Sequence, residues 1–385
     1  MFSVVCARKD SRRIQGGKVC AMDAGRHTMK SNRILWVDYA KALAILGVFF
    51  MHGAVPGDVP AVGVASFDMV VFFFLSGYVF SIRKYSSFWL FLWNKIRTLV
   101  VPGAFFAITA FIIERIVAAI QGHFLSLGQY LHWLLGIIVN LRGHPGFGNI
   151  PWFLTCLFLI EVFGYCLVRI TERAFRSDMT LVVIAAALLL SGWLYSACIH
   201  IVLPWAADVA LSMSGFFVLG IMARKHSVSF ERLLSPWSIL LMLVVMVGAV
   251  AANYWIFGHE VNIYLNSYGN LICYILAALS GTWMVLAICR VLVDLSRRTL
   301  LERVLLYFGR NTLIFYCVND GIYPKLIPWM LSLVGLNIQT IQLNSIQHPL
   351  YSIGAVLINV AICSLCAEFV KCFLPGVIGK KPINR

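Results

Sequence analysis

Long apolar runs follow one another along nearly the whole chain, and short polar clusters separate them. Several runs reach the roughly 20 residues that an α-helix needs to cross a bilayer. A membrane β-barrel would instead show alternating segments of about ten residues, which we do not find. We therefore predict an all-α, polytopic membrane protein with about ten transmembrane helices. The predicted spans are residues 34–54, 65–82, 98–115, 150–169, 179–197, 205–223, 236–256, 268–292, 311–334 and 349–373. The stretch 130–141 is too short for a span and is either interfacial or re-entrant.

Composition and charge agree with a membrane protein. The chain is 61% hydrophobic and 12% charged, whereas soluble domains average about a quarter charged residues. The net charge is +15, and most of the 31 Lys and Arg residues fall on one side when the spans are threaded alternately. This positive-inside pattern predicts an even number of spans with both termini in the cytoplasm. The basic excess therefore indicates topology and attraction to anionic lipids in the bilayer, not binding to nucleic acid.

The polar ends of the chain frame a single membrane domain. Residues 1–33 are basic and contain no apolar core, so we expect a disordered cytoplasmic tail and no signal peptide. Translation can begin at Met1 or at Met29. Residues 34–374 form the predicted transmembrane domain, and residues 375–385 form a short cytoplasmic tail. The eleven cysteines are interpreted as small hydrophobic residues, so neither disulfides nor a bound metal is expected. The sequence leaves the oligomeric state open.

The first predicted span contains three ionisable side chains. At about 100° per residue, Lys41 and His52 return to the same helix face within roughly 20°. Asp38 lies within about 60° of Lys41 on that face, so one stripe holds all three. Such a stripe faces protein or a water-filled cavity, since lipid would leave it unsatisfied. Two interpretations stay open at this point: the side chains snorkel to the two interfaces, or they line a polar track through the membrane. In the second, a neutral imidazole, with an ordinary pKa near 6.5, can accept a proton from a hydroxyl.

Five motifs in the same order resemble the acyltransferase 3 family of bacterial membrane proteins, with the closest likeness to its fucose-acetyltransferase-like members. The first is the D-x-x-K-x10-H pattern of Asp38, Lys41 and His52. The others are FFFLSGYVF (72–80), NKIRTLVVP (94–102), NIPWFLTCLF (149–158) and FGRNTLIFYCVND (308–320). The resemblance covers residues 34–374. The chain departs from the family at two positions where histidine is frequent, which here hold Asp68 and Asn319.

The resemblance implies that the protein is a multi-pass enzyme of the bacterial inner membrane. It implies transfer of an acyl group, most often acetyl, from cytoplasmic acyl-CoA to a hydroxyl of an envelope saccharide or glycolipid. His52 would be the general base of a direct transfer, with an acyl-histidine intermediate left open. Lys41 would stabilise an oxyanion or hold the donor, or would form an ion pair with Asp38 that only orients the helix. The residues expected to bind the donor phosphates are Lys95, Arg97 and Arg310. The residues expected near the acceptor are Trp152, Asp208, Asn319 and Asp320, with Asp208 as a group that orients His52 or binds a sugar hydroxyl. Lys325 is expected at the same cavity, and Asn311 is expected to cap the ninth helix.

Two other functions also fit parts of this pattern. A secondary transporter would likewise place charges inside about ten spans, but transporters commonly show paired repeats with matching broken helices. We find no such duplication, and the stripe on the first span has no second copy. A non-catalytic membrane partner or sensor would tolerate the missing late histidine. The sequence therefore favours the acyltransferase and keeps the other two as alternatives.

Overall fold

The structure is a computed structural model that describes residues 34–53, 59–170, 177–322 and 347–379. Its elements within these ranges are helical apart from one isolated bridge between Asn262 and Ser267. Nine helical stretches of these ranges are long and apolar enough to cross a membrane. The predicted all-α, polytopic fold is therefore confirmed. The predicted tail 1–33 lies outside the described residues, as does nearly all of the chain that links the last two helices.

The helices are numbered α1 to α14 in chain order. Their bounds are α1 Leu35–Gly53, α2 Val59–Ala65, α3 Asp68–Tyr78, α4 Phe88–Lys95, α5 Val101–Ile120, α6 Leu127–Val139, α7 Trp152–Ile170, α8 Asp178–Cys198, α9 Ala207–Lys225, α10 Ser227–Leu233, α11 Pro236–Ala251, α12 Leu271–Leu295, α13 Leu300–Cys317 and α14 Gln347–Phe373. Three π-helical turns extend them, at Ile96–Val100, Ala252–Ile256 and Val318–Ile322, and a 3₁₀ turn, Pro204–Ala206, precedes α9.

Helix α1 occupies the centre of the bundle and packs against α3, α12, α13 and α14. Its contact with α13 is close because Gly309 has no side chain: a Cβ there would overlap the carbonyl oxygen of Asp38. Helices α3 and α9 meet in the same way, with Gly77 against the backbone of Phe217. Small residues allow such approaches between membrane helices. The motif residues Ser76-Gly77 and Gly309 therefore lie where the central helices cross.

Two predicted spans begin or end elsewhere than expected. Helix α13 begins at Leu300, eleven residues before the predicted start, and Thr299 is its N-cap. The prediction that Asn311 caps this helix was wrong, because Asn311 lies inside α13 and donates a hydrogen bond to the carbonyl of Tyr307. The third predicted span, 98–115, lies inside a helical run of 33 residues, Phe88–Ile120. That run exceeds the roughly 20 residues of a span, so part of it lies outside the bilayer core.

Alternation of the spans gives the bundle two ends. The outer end is the one where α1 ends and α7 begins. The positive-inside pattern assigns this end to the outer side of the membrane. The opposite end, where α1 begins, is the cytoplasmic end. Helix α6 follows α5 at the outer end and has 13 residues, so it is one of the shorter apolar helices of the described chain. Its length agrees with the interpretation of 130–141 as a segment that does not span the membrane.

The connection between α11 and α12 forms an ordered cover at the outer end. Asn262 and Ser267 exchange two backbone hydrogen bonds of 2.8 and 2.9 Å. The side chain of Asn253 donates to the carbonyl of Tyr268 and accepts from the amide of Asn270. Val261 and Ile263 of this loop are buried. These hydrogen bonds hold residues 260–264 in a defined position over the outer end of the bundle.

Candidate active site

A cavity of about 340 Å³ opens beneath this cover at the outer end. Side chains from several elements line it, and His52 comes from the last turn of α1. Its other lining residues include Ala65, Asp68, Met69, Trp152, Glu260, Asn262, Tyr264, Tyr316 and Asp320. The His52 side chain is exposed to this space. The cavity is therefore a polar site built from helix ends, with an accessible imidazole on its wall.

Carboxyl groups reach this cavity from separate parts of the chain. Asp68 is the first residue of α3; it is 6% exposed and accepts a 2.6 Å hydrogen bond from the amide of Met69. Asp320 lies in the π turn after α13, and Glu260 is exposed on the covering loop. Of these, only Asp320 belongs to the acceptor residues predicted from the sequence. Asp68 could have been found as a carboxyl group inside an apolar run, which is a functional signal in membrane helices.

Aromatic rings form another part of the wall. The rings of Trp152 and Tyr264 meet edge to face with centroids 6.0 Å apart, and Tyr316 packs against Phe153 at 5.2 Å. Trp152 begins α7 and is 8% exposed. A flat apolar ring beside carboxyl and amide groups can hold a sugar, because a sugar has apolar C–H faces and hydroxyl edges. The structure thus places Trp152, Asp320 and His52 at one cavity.

Asp208 occupies a different position from the one the sequence suggested. Its Oδ2 lies 2.6 Å from Nη2 of Arg142, and the two side chains are 2% and 4% exposed. Its Oδ1 accepts a hydrogen bond from the amide of Leu203. Asp208 is not among the residues that line the cavity. It therefore neither orients His52 nor meets a ligand there, because its oxygens are engaged within the protein.

The Arg142–Asp208 pair supports the cavity from behind. The guanidinium of Arg142 lies 5.7 Å from the centroid of the Tyr264 ring, a cation–π distance. The chain before Asp208 is held in an unusual conformation, with φ of 60° at Trp205 and 57° at Ala206. The amide of Trp205 donates to the carbonyl of Asn140 at 3.0 Å. Non-glycine residues rarely adopt positive φ, so the surrounding contacts must impose this geometry.

Asn319 and Lys325 do not contribute described side chains to the cavity. Asn319 is fully buried and accepts a hydrogen bond from the side chain of Asn359 on α14. This hydrogen bond joins α14 to the π turn. Asn319 does not line the cavity, so it is not placed for the acceptor role predicted for it. Lys325 lies outside the described residues.

On α14, Cys363 and Cys366 have C-x-x-C spacing, and both are free thiols away from the cavity.

The predicted donor-binding residues lie apart from the cavity. Lys95 forms an ion pair with Glu161 of α7, with Nζ 2.7 Å from Oε2 and side chains 16% and 10% exposed. Arg97 and Arg310 are both exposed. Glu161 is a further intramembrane carboxyl group, and it was not among the predicted site residues. Because Glu161 neutralises the charge of Lys95, the two exposed arginines are better placed to bind phosphate.

The spacing of the first motif separates its members along α1. Asp38 is buried and Lys41 is half-buried, and neither lines the cavity. Lys41 precedes His52 by eleven residues, about 17 Å along a helix axis. One reacting atom cannot contact both side chains. An oxyanion contact of Lys41 beside His52 is therefore excluded by distance, and a contact with the donor or an ion pair with Asp38 is left.

Comparison with known proteins identifies the family to which the chain belongs. No curated protein shows a significant match to the chain. A family model described as an acyltransferase domain matches residues 34–368, most of the chain and every described helix but the end of α14. That match includes His52 and every other residue of the cavity wall. The chain therefore belongs to the acyltransferase 3 family, and it is a multi-pass membrane acyltransferase.

Proposed function

We propose that the protein transfers an acetyl group from cytoplasmic acyl-CoA to a hydroxyl of an envelope saccharide or glycolipid at the outer end. The observation that carries this proposal is the exposed imidazole of His52 in a cavity that also holds an aromatic ring and several carboxyl groups. A saccharide fits this wall because Trp152 offers a ring face and Asp320 accepts hydroxyl hydrogen bonds.

His52 acts as the general base in this proposal. A ring nitrogen takes the proton of the acceptor hydroxyl while that oxygen forms a bond to the thioester carbonyl carbon. The carbon–sulfur bond then breaks, and the thiolate of CoA leaves and takes up the proton that His52 releases, so the products are an ester, free CoA and a neutral His52. Base catalysis of this kind contributes roughly 10²–10⁴-fold. The phenols of Tyr264 and Tyr316 supply hydrogen bonds to the carbonyl oxygen, since Lys41 is too distant.

The donor approaches from the cytoplasmic end. Arg97 and Arg310 are exposed and contact the phosphates of CoA, because guanidinium groups form paired hydrogen bonds with phosphate. Lys41 lies between those residues and the cavity along α1 and holds the polar part of the donor arm. Asp38, buried at the start of α1, positions this segment. The acyl group reaches His52 while the nucleotide stays at the opposite end.

The test compares acetyl transfer by wild type with that by His52→Ala and His52→Gln. Membranes that contain each variant receive radiolabelled acetyl-CoA and envelope glycans, and ester-linked label is measured. Transfer should fall at least 100-fold in both variants. His123→Ala is the matched control, because His123 is exposed outside the cavity lining. Thermal unfolding in detergent verifies that the variants fold. Full transfer by folded His52→Ala, or no transfer by wild type with any acyl-CoA, would contradict the proposal.

A further inference from the structure

The charge of the cavity wall limits which saccharides can enter it. Three carboxyl side chains line the cavity: Asp68, Glu260 and Asp320. They come from α3, the covering loop and the π turn after α13, so three separate elements supply carboxyl groups to the cavity that His52 also lines. Among the described lining residues there is no lysine or arginine. Such a wall has no described group that would neutralise an anionic ligand.

Arg142, the cation that contacts Tyr264 from behind this wall, is already paired with a carboxylate. Arg142 is 2.6 Å from Asp208, and both side chains are almost fully buried. Arg142 is absent from the lining and contacts the Tyr264 ring, which is part of the lining. A buried pair of opposite charges has a weak external field, because each charge largely cancels the other. Arg142 therefore does not offset the three carboxyl groups.

The pKa of Tyr264 also reflects the electrostatic potential in the cavity. Burial raises the pKa of its phenol above the usual value, and the carboxylate of Asp320 raises it further. Arg142 and a backbone hydrogen bond from the Gly143 region act in the opposite direction and are smaller. The phenol therefore stays protonated and can donate a hydrogen bond. A carboxylate on a ligand would meet the same repulsion that the phenolate does.

We propose that the acceptor unit beside His52 is a neutral or amino-bearing saccharide, and that the cavity rejects units that carry a carboxylate or phosphate. This inference rests on the proposed function and names the substrate class of the same site. Hydroxyl groups of a neutral sugar donate to the carboxyl oxygens, and an ammonium group is attracted both by them and by the faces of Trp152 and Tyr264. An anion at the same place loses its hydration without gaining a cationic partner among the described lining residues.

The experiment measures the charge of the unit that receives the label. Membranes with wild-type protein receive radiolabelled acetyl-CoA, envelope glycans and an equimolar mixture of neutral, amino and uronic-acid oligosaccharides. The glycans are then cleaved to mono- and disaccharides, and the labelled units are separated by charge. Hydroxylamine releases esters, so label in amides is counted separately. Uronic-acid units should carry less than one tenth of the ester label of neutral units per mole.

A charge reversal in the wall provides the second measurement. Glu260→Lys should raise the ratio of uronic-acid to neutral label at least threefold, because it replaces an exposed repulsive charge by an attractive one. Asp294→Lys is the matched control, since Asp294 is an exposed carboxylate at the end of α12 opposite the cavity, and its ratio should not change. Equal labelling of uronic-acid and neutral units, or an unchanged ratio in Glu260→Lys, would overturn the inference. No ester label in any fraction would instead count against the proposed function itself.

Discussion

Arg142 and Asp208 form a buried ion pair at the outer end of the bundle, with Nη2 and Oδ2 2.6 Å apart. They join the loop after α6 to the first turn of α9, 66 residues later in the chain. Because Arg142 also packs on Tyr264, the pair connects the fold to the cavity wall. Its role in this structure is to hold the wall in place.

Removing one partner of this pair should destabilise the protein strongly. Asp208→Ala leaves the guanidinium of Arg142 buried without its carboxylate, which costs about 3–5 kcal/mol. The double variant Arg142→Met with Asp208→Leu should recover much of that loss, because neither charge is left. Thermal unfolding of the purified protein in detergent measures both. If Asp208→Ala unfolds at the wild-type temperature, the pair does not stabilise the wall.

The crossing of α1 and α13 should tolerate no side chain at Gly309. Gly309→Leu forces α13 away from the backbone of Asp38, and overpacking of this kind costs about 1–3 kcal/mol. The shift moves Tyr316 and Asp320, so acyl transfer should fall as well. Gly248→Leu is the control, because a Cβ at Gly248 would have open space within 4 Å. Equal unfolding temperatures for the two variants would contradict this account of the crossing.

Lys95 and Arg97 should behave differently although they are two residues apart. Lys95→Met leaves Glu161 without its partner, so we expect lower stability, which Lys95→Met with Glu161→Leu restores in part. Arg97→Gln should keep the wild-type unfolding temperature and raise KM for acyl-CoA about 10–150-fold, since it removes one charge-assisted phosphate contact. The comparison needs unfolding curves and donor titrations. A larger donor defect in the restored double variant than in Arg97→Gln would return the phosphate role to Lys95.

Trp152 should affect the acceptor and not the donor. Trp152→Ala removes a ring from the cavity wall, and loss of an aromatic contact worth about 0.5–1.5 kcal/mol raises KM for the acceptor roughly 2–12-fold. Trp152→Phe should keep most of the affinity. Trp237→Ala is a suitable control, because Trp237 is 84% exposed, lies in the first turn of α11 at the cytoplasmic end and does not line the cavity. Acceptor and donor titrations of each variant separate the two constants, and a rise confined to the donor KM would contradict this assignment.

The sequence predicted the fold well because apolar length is a local property. Helix boundaries failed where polar residues lie inside a helix: Arg310 and Asn311 suggested a helix start, whereas α13 begins at Leu300. In the cavity, His52, Trp152 and Asp320 were expected and are present. Asp208 was expected there too, but its partner Arg142 is 66 residues away, so no local pattern could reveal the ion pair. The wall of the covering loop was missed because it has no regular periodicity.

The central claim is that donor and acceptor meet from opposite sides of the membrane, with His52 on the acceptor side. Sealed inside-out vesicles expose the cytoplasmic end, so radiolabelled acetyl-CoA is added outside and envelope glycans are trapped inside. Wild type should label the trapped glycans, and His52→Gln should reduce that label at least 100-fold while the vesicles stay sealed. Label only on glycans added to the same side as acetyl-CoA would contradict the account.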